Sequence, residues 1–357
     1  ICRKIMGLAH SPKIVTDGLA FIYDTGSGKS YKGEPTTNLY GNWNAYTGGS
    51  YEVLDNNTNY IKLLASAGAP WAGQFTAAVS AGTYTVSFQH RTDDGGSNNF
   101  NIDNDTQDDN LWNANITTTT EWQTYTSTKT HTGTGNHLLY FRRNSGTGNI
   151  YIRNLQLELK PHATPFVNGT RSATQGLLDL TNNATINLSN VSFDSNAQMV
   201  LDGTDDTINT GLFSGRNPAT DPFTIEAVVK SDTTSGGRMW VDATNNGSNQ
   251  RLYCAHAATG TGTPMGIQGS GWSSSAPHDT DYHHYVIVMD GSVARLYNNG
   301  EAHSTKNYTS YQIQALNIGG RNTYRWFGDI PIFKLYDRAL TADEVLQNFN
   351  ATKSRFL

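Results

Sequence analysis

The sequence predicts an all-β chain: two jelly-roll β-sandwich domains in tandem, closed by one short C-terminal helix. Three observations carry this expectation. Short runs of β-branched and aromatic residues recur throughout the 357 residues, separated by turns containing Gly, Asn and Asp. Only 15% of residues are charged, where about 25% is usual. The polar surface therefore falls to Thr, Asn, Ser and 35 Gly, a composition for strands and turns. A helical period replaces the strand period only at the end, after Thr341.

Residues 1–35 read as a leader. Ile14, Val15 and Leu19 to Tyr23 suggest a strand or two around the Asp17-Gly18 turn, apolar enough to pack on a domain or a neighbouring subunit. The opening Ile1 to Met6 lacks the apolar region of a signal peptide. Residues 36–160 read as the first sandwich. There Tyr84, Val86 and Phe88 alternate with Thr85 and Ser87, the period of a half-buried strand. Ile150 and Ile152, then Leu155 and Leu157, repeat the pattern across a break near Arg153-Asn154. Pro161, Pro165, Asn168 and Gly169 mark residues 161–175 as a linker.

Residues 176–357 read as the second sandwich. Phe223, Ile225, Ala227 and Val229 form one face of a strand, with Thr224, Glu226 and Lys230 on the other. Asn298-Asn299-Gly300 is a hairpin signal. Gly328 to Tyr336 is apolar enough to be buried on both faces. Thr341 and Glu344 have capping-box spacing, and Ala342, Val345, Leu346 and Phe349 form one helical stripe. If that stripe is buried, Leu346→Asp should unfold the domain.

Several function classes are disfavoured. A net charge of −5 without a local basic cluster argues against nucleic acid. No run of 18 apolar residues exists to span a membrane as a helix. Cys2 and Cys254 lie far apart, and a disulfide between them is not expected.

Recognition enters with a succession of motifs. Asp202-Gly203-Thr204-Asp205-Asp206, then Phe223-Thr224-Ile225-Glu226-Ala227, then Tyr282-His283-His284-Tyr285 and the Ala294 to Gly300 hairpin are followed by Tyr336-Asp337-Arg338-Ala339-Leu340-Thr341-Ala342-Asp343-Glu344. Together they resemble the laminin-G-like branch of the concanavalin-A-like lectin/glucanase superfamily, which implies two antiparallel sheets packed face to face. Thr37-Asn38-Leu39, Leu155-Gln156-Leu157-Glu158 and Ala163-Thr164-Pro165-Phe166 resemble carbohydrate-binding-module-like jelly rolls of bacteriophage structural proteins. Gly7-Leu8-Ala9-His10-Ser11-Pro12 with Ile14-Val15-Thr16-Asp17-Gly18-Leu19 in the leader is similar to the openings of such proteins in tailed phages of marine bacteria. These resemblances imply a virion protein: a tail, fibre or capsid-appendage component on the particle exterior. Its partners would be other virion proteins and a host-surface polysaccharide, and by analogy it would be a homo-oligomer, with a trimer as the expectation.

Catalysis is not expected. Retaining glucanases of the superfamily place two acidic residues on one strand face, as nucleophile and acid/base require. Glu226 has Val228 and Ser231 where acidic partners would stand, and reads as a solvated sheet residue. His283 and His284 are adjacent on a strand and point to opposite faces, one packed and one exposed. For binding, Asp202, Asp205 and Asp206 are candidate calcium ligands, although the same residues also suit an Asx-type turn with no ion. A second acidic stretch, Asp103, Asp105, Asp108 and Asp109, lacks EF-hand spacing. Sugar recognition needs flat aromatic surfaces beside planar polar groups. The candidates are Trp71, Trp112 and Trp122 with Asn110 and Arg91, then Trp240, Trp272, Tyr324 and Trp326 with Asn322 and Arg325. Each tryptophan has core packing as its ordinary alternative.

The expected function is that of a non-enzymatic virion protein binding cell-surface glycans, with calcium as its only cofactor candidate. The competing expectation is a decoration or cement protein that reuses the fold for packing alone.

Overall fold

A computed structural model describes residues 13–41, 51–65, 71–104, 114–212, 215–234, 238–244, 251–256, 265–267, 270–272, 279–308, 313, 315–321 and 324–356. Contacts divide the chain into two compact units. One comprises Ile1–Lys32, Ala173–Asp194 and Gln198–Leu357; the other comprises Gly33–Ser172 and Ser195–Ala197. The divisions thus fall at Lys32 and Ser172, and the leader belongs to the C-terminal unit. The segment read as a linker carries a strand of its own, in which Thr170–Arg171 pairs with Thr36–Thr37.

In the smaller unit, antiparallel pairing gives two sheets. A four-stranded sheet runs Trp71–Val79, Gly135–Ser145, Asn98–Asn104, Ala114–Thr118. A five-stranded sheet runs Tyr51–Asp55, Tyr60–Leu63, Ile150–Glu158, Gly82–Thr92, Gln123–His131. Tyr84, Val86, Phe88, Ile150 and Ile152 of one sheet share a core with Phe100, Ile102, Leu139 and Phe141 of the other. The break after Arg153 is a register shift at Asn154, which takes a positive φ of 57°. Residues of the three separated motifs meet beside this strand. Glu158 is fully buried and accepts from Thr36 Oγ1 (2.8 Å), Gln156 Nε2 (2.9 Å) and the Thr164 amide (2.8 Å). Asn38 Nδ2 donates to the Leu155 carbonyl, and its Oδ1 accepts from the Leu157 amide. A buried polar group persists only when its bonds are made, so these motifs hold the unit's seam.

The C-terminal unit pairs a six-stranded sheet, built around Arg238–Thr244 and Ala315–Ile318, with an eight-stranded one. The larger sheet runs Ser192–Phe193, Met199–Asp202, Phe327–Tyr336, Phe223–Ser231, Tyr282–Asp290, Val293–Asn298, Glu301–Asn307. The leader strand Leu19–Asp24 shares with Met199–Asp202 the second edge of Phe327–Tyr336. Phe223, Ile225, Ala227 and Val229 face the core between the two sheets, together with Val241, Leu316 and Ile318. At the hairpin, Asn299 and Gly300 both take positive φ, 51° and 82°, as a type I′ turn requires.

The opposite face of the large sheet is also covered. Val286, Val288, Tyr336 and Leu340 pack there against Val15 of the leader and Val345 of the helix Ala342–Thr352. Glu226 lies on this face and is fully buried, so the expectation of a solvated sheet residue is corrected. Its Oε1 accepts from Lys334 Nζ (2.5 Å) and His284 Nε2 (2.8 Å), and its Oε2 from Asn348 Nδ2 (2.6 Å). Asn348 Oδ1 accepts from the Val15 amide (2.7 Å), and Tyr336 Oη donates to the Val15 carbonyl (3.1 Å). Burial alone would push the Glu226 carboxyl up; Lys334 and His284 beside it more than reverse this and hold it below the usual carboxylate range. His283 and His284 do point to opposite faces, but both are buried. His283 bonds Asp279 (2.8 Å) and stacks on Tyr285, because helix and core cover both sides of the strand.

The C-terminal helix begins with the expected capping box, the Thr341 side chain accepting from the Glu344 amide and Glu344 reaching back to the Thr341 amide. Its buried stripe differs from the expected one. Val345, Asn348 and Thr352 are buried, Ala342 is exposed, Phe349 is half-buried and Leu346 is 43% exposed. The polar network beneath the helix draws Asn348 inward, and this turns Leu346 towards the rim, where it lies against Gly300.

Glu226→Ala strands the Lys334 ammonium in a dry site and should cost roughly 3–5 kcal/mol in urea denaturation. Because the Glu226 pKa is depressed on folding, to about 2, its contribution is fully present above the ordinary carboxylate range and is lost progressively as the pH falls from there through the folded value. Glu226→Gln should therefore flatten the acid limb of the stability profile, and an unchanged limb would contradict the pairing. Val345→Asp should unfold the unit in a thermal melt, whereas Leu346→Asp should melt close to the unmodified protein; the reverse order would show the helix docked by another face.

Candidate functional site

The aromatic candidates separate by depth. Trp240 and Trp326 are fully buried, which corrects their reading as ligand platforms. Trp240 stacks on Tyr285 at 6.2 Å between the two sheets, and Trp326 Nε1 donates to the Lys230 carbonyl (3.2 Å). Both fill the space that sheet packing opens, and neither ring can meet a sugar. Tyr324 is 42% exposed and remains available, with Arg325 half-buried beside it. Trp272 stands in the edge strand Ser270–Trp272, and Trp71 opens the strand Trp71–Val79; the side chains of both lie outside the described residues. Trp112, Asn110, Asn322, Asp105, Asp108, Asp109 and Cys2 also lie outside them, as do the side chains of Asp103 and Cys254. Arg91 is half-buried on the outer face of the smaller unit's five-stranded sheet, beside Trp122.

The acidic turn is a real cluster. Ligand oxygens of Asp202, Asp205 and Asp206 lie within 4.8 Å of one another. Asp206 is buried: Oδ1 accepts from the Ser192 amide (2.8 Å) and hydroxyl (3.2 Å), and Oδ2 from the Asp202 amide. Burial, with Asp202 close by, pushes the Asp206 carboxyl up to about 6. Asp202 accepts from the Thr204 amide (2.7 Å), the Asx-type bond of the turn, and this lowers its own pKa. Hard carboxylate oxygens crowded in this way have the chemistry that Ca²⁺ selects. However, the Asp206 oxygens are already spent on protein donors, so a cation would draw chiefly on Asp202 and Asp205.

A pocket in the C-terminal unit brings together residues from remote parts of the chain. It has a volume of about 320 Å³, and its lining includes Asp194, Gln198, Tyr282, Asp329, Arg355 and Phe356. Tyr282 opens the strand Tyr282–Asp290, and Asp329 stands near the start of Phe327–Tyr336, with Lys230 of Phe223–Ser231 between them. The Tyr282 hydroxyl donates to Asp329 Oδ2 (2.9 Å), while Asp329 Oδ1 has no protein donor among the described residues. Burial pushes the Asp329 carboxyl up, and the like charges of Asp232 and Asp194 add to this against the Tyr282 bond and Lys230. The Phe356 ring lies 5.2 Å from that of Tyr282 and carries the Arg355 guanidinium at 4.9 Å. Arg355 in turn clamps Asp24 through two bonds of 2.6 and 2.8 Å. Two aromatic rings, a carboxylate oxygen, an amide and a guanidinium thus converge on one concavity of ligand size. The sequence reading missed Tyr282, Asp329 and Phe356, since no local spacing links them; the one available signal was an acid, Asp329, in a strand whose other charged residue is Lys334.

Glu226 cannot act as a glycosidase carboxylate, because its side chain is out of reach of solvent. Among the described residues no helix is long and apolar enough to cross a membrane.

Comparison with known proteins bears on the fold. Residues 202–346 match the Laminin_G_3 family, described as the concanavalin A-like lectin/glucanases superfamily. No curated protein sequence matches the chain. Among solved structures, the CBM40 of the Ruminococcus gnavus IT-sialidase bound to α2,3-sialyllactose is 15% identical, covering 36% of this chain and 83% of its own, with a TM-score of 0.30. Domain 4 of AbnA, a GH43 extracellular arabinanase from Geobacillus stearothermophilus in complex with arabinotriose, is 17% identical over 50% of this chain and 92% of its own, with a TM-score of 0.36. The Trypanosoma rangeli sialidase in complex with DANA is 14% identical over 61% of this chain and 43% of its own, with a TM-score of 0.41. Likenesses this loose transfer no residue role. The C-terminal unit therefore carries a laminin-G-like, concanavalin-A-like lectin-fold domain over residues 202–346.

Proposed function

We propose that this is a non-enzymatic glycan-binding protein whose C-terminal unit takes a sugar unit in the pocket of Tyr282, Asp329 and Phe356. The observation that carries the reading is the pairing, in one concavity, of two half-buried aromatic rings with a carboxylate oxygen that has no protein donor among the described residues. Pyranose rings present a C–H face to aromatics and hydroxyls to planar polar groups. An acid-lined pocket favours a neutral sugar, whose hydroxyls donate to Asp329, over an anionic one. The buried state of Glu226 supports the absence of two-carboxylate hydrolysis. Placement on a phage particle, as a homo-oligomeric tail, fibre or capsid appendage meeting host polysaccharide, rests on the sequence resemblances of the leader and the first domain.

Glycan-array binding of the purified protein tests the reading. A neutral oligosaccharide that binds the unmodified protein should lose roughly tenfold or more in affinity with Asp329→Asn or Phe356→Ala. Silence across a broad array, together with tight association to particles, would favour the cement role instead.

We also propose that calcium, where bound, occupies the turn of Asp202, Asp205 and Asp206. Calcium should then raise the melting temperature of chelator-treated protein, and Asp202→Asn combined with Asp205→Asn should abolish the shift. Equal melts with and without calcium would leave the turn a purely structural Asx motif.

A further inference from the structure

The smaller unit presents a different chemistry on the outer face of its five-stranded sheet. Ile61, Leu63, Ile150, Ile152 and Phe88 point into the core. The alternate positions therefore carry Tyr60 and Lys62, Tyr151 and Arg153, and Gln89 and Arg91 outward. Register sets Tyr151 opposite both Arg91 and Lys62, and Arg153 opposite Gln89. Trp122, just before Gln123–His131, closes the group: the Arg153 guanidinium lies 3.8 Å from its ring centre and that of Arg91 at 5.2 Å. Arg91 also lies 4.7 Å from the Tyr151 ring, and Tyr60 stands 6.0 Å from Trp122 and 6.3 Å from Tyr151.

The two guanidiniums share one ring and have no counter-ion among the described residues. Among the described residues Arg91 forms no hydrogen bond or ion pair, and its Nε is buried without a partner. Arg153 forms only the bond from Nε to Gln89 Oε1, 2.9 Å. Asp93 and Glu52, acids beside the same strands, are engaged elsewhere. Asp93 accepts from the Asn149 amide (2.7 Å) and side chain (2.6 Å) and from Tyr151 Oη (3.4 Å), and Glu52 pairs with Lys62 (3.2 Å). Two half-buried cations stacked on aromatic rings, their terminal Nη donors without an acceptor among the described residues, have the form of an anion seat.

We propose that this face binds a carboxylate-bearing saccharide, its carboxylate between Arg91 and Arg153 and its sugar ring against the cluster of Tyr60, Trp122 and Tyr151. The planar fork of arginine matches a planar carboxylate, and the rings supply the apolar surface that a pyranose C–H face needs. A nucleic acid is disfavoured by the net charge of −5. The site is independent of the pocket in the C-terminal unit and does not rest on it.

The test is calorimetry on the full chain with a galacturonic acid oligomer, its neutral galactose counterpart and a sulfated galactose oligomer. The carboxylated oligomer should bind best, more weakly as salt rises. Arg91→Gln and Arg153→Gln should each weaken it roughly tenfold or more. Arg153→Lys, which keeps the charge and loses the fork, should restore only part of the affinity. Asp329→Asn should leave this binding unchanged, which separates it from failure of the pocket. Should an arginine variant unfold, the arginine Nε–H resonances of the unmodified protein decide, since the oligomer must shift those of Arg91 and Arg153. Equal binding of the neutral oligomer, preference for the sulfated one, no binding of either acidic oligomer, or affinity indifferent to both folded glutamine variants would overturn the proposal.

Discussion

The C-terminal unit depends on one buried ion pair. Glu226 and Lys334 are register partners on adjacent central strands, both almost wholly excluded from solvent. Desolvating two charges costs several kcal/mol per ion, which a single Coulomb contact rarely offsets. Here the remaining lone pairs are met by His284 from the next strand and Asn348 from the helix, and Asn348 is bonded in turn to Val15 of the leader. The sheet, the C-terminal helix and the leader are therefore one polar network. Removing the helix withdraws Asn348 from Glu226, and removing the leader leaves Asn348 Oδ1 and Tyr336 Oη without the Val15 backbone.

That network also decides where binding can occur. With the inter-sheet core on one side and helix and leader on the other, the central strands of the large sheet have no open face. Access to these strands is left only at the sheet's margins. The pocket forms at one margin, where residues following the leader strand, the start of Phe327–Tyr336 and the last turn of the chain come together. The clamp of Arg355 on Asp24 fixes that last turn and so holds Phe356 beside Tyr282. Sealing one face of the sheet and building the pocket thus draw on the same two chain segments.

The smaller unit keeps its polar groups in two separate places. Asn38, Gln156, Glu158 and Thr164 are turned inward, bonded to one another or to backbone. Arg91 and Arg153 are turned outward and stack on rings. The contrast explains why tryptophan content alone points to no site. Trp240 and Trp326 are space-filling between sheets, whereas Trp122 is held at a sheet surface by cations.

Much of the architecture is legible in one dimension, because its causes are local. Alternation at Tyr84 to Phe88 and Phe223 to Val229, the Asn299-Gly300 turn and the Thr341–Glu344 cap each follow from backbone geometry within a few residues. The candidate site is not legible in this way. Tyr282, Asp329 and Phe356 are set side by side by strand pairing and by the docking of the last turn, neither of which leaves a spacing in the sequence. The same gap explains Glu226 and Leu346. Strand period assigns Glu226 to the face opposite the core, and helical period places Leu346 in an apolar stripe. Only the packing of helix on sheet buries the first and exposes the second. The sequence by itself determined the strands, the turns, the capped helix and the lectin-like succession. The tertiary structure decided which polar groups are sealed in as structure and which remain open to a ligand, because burial depends on what lies across from a residue in space.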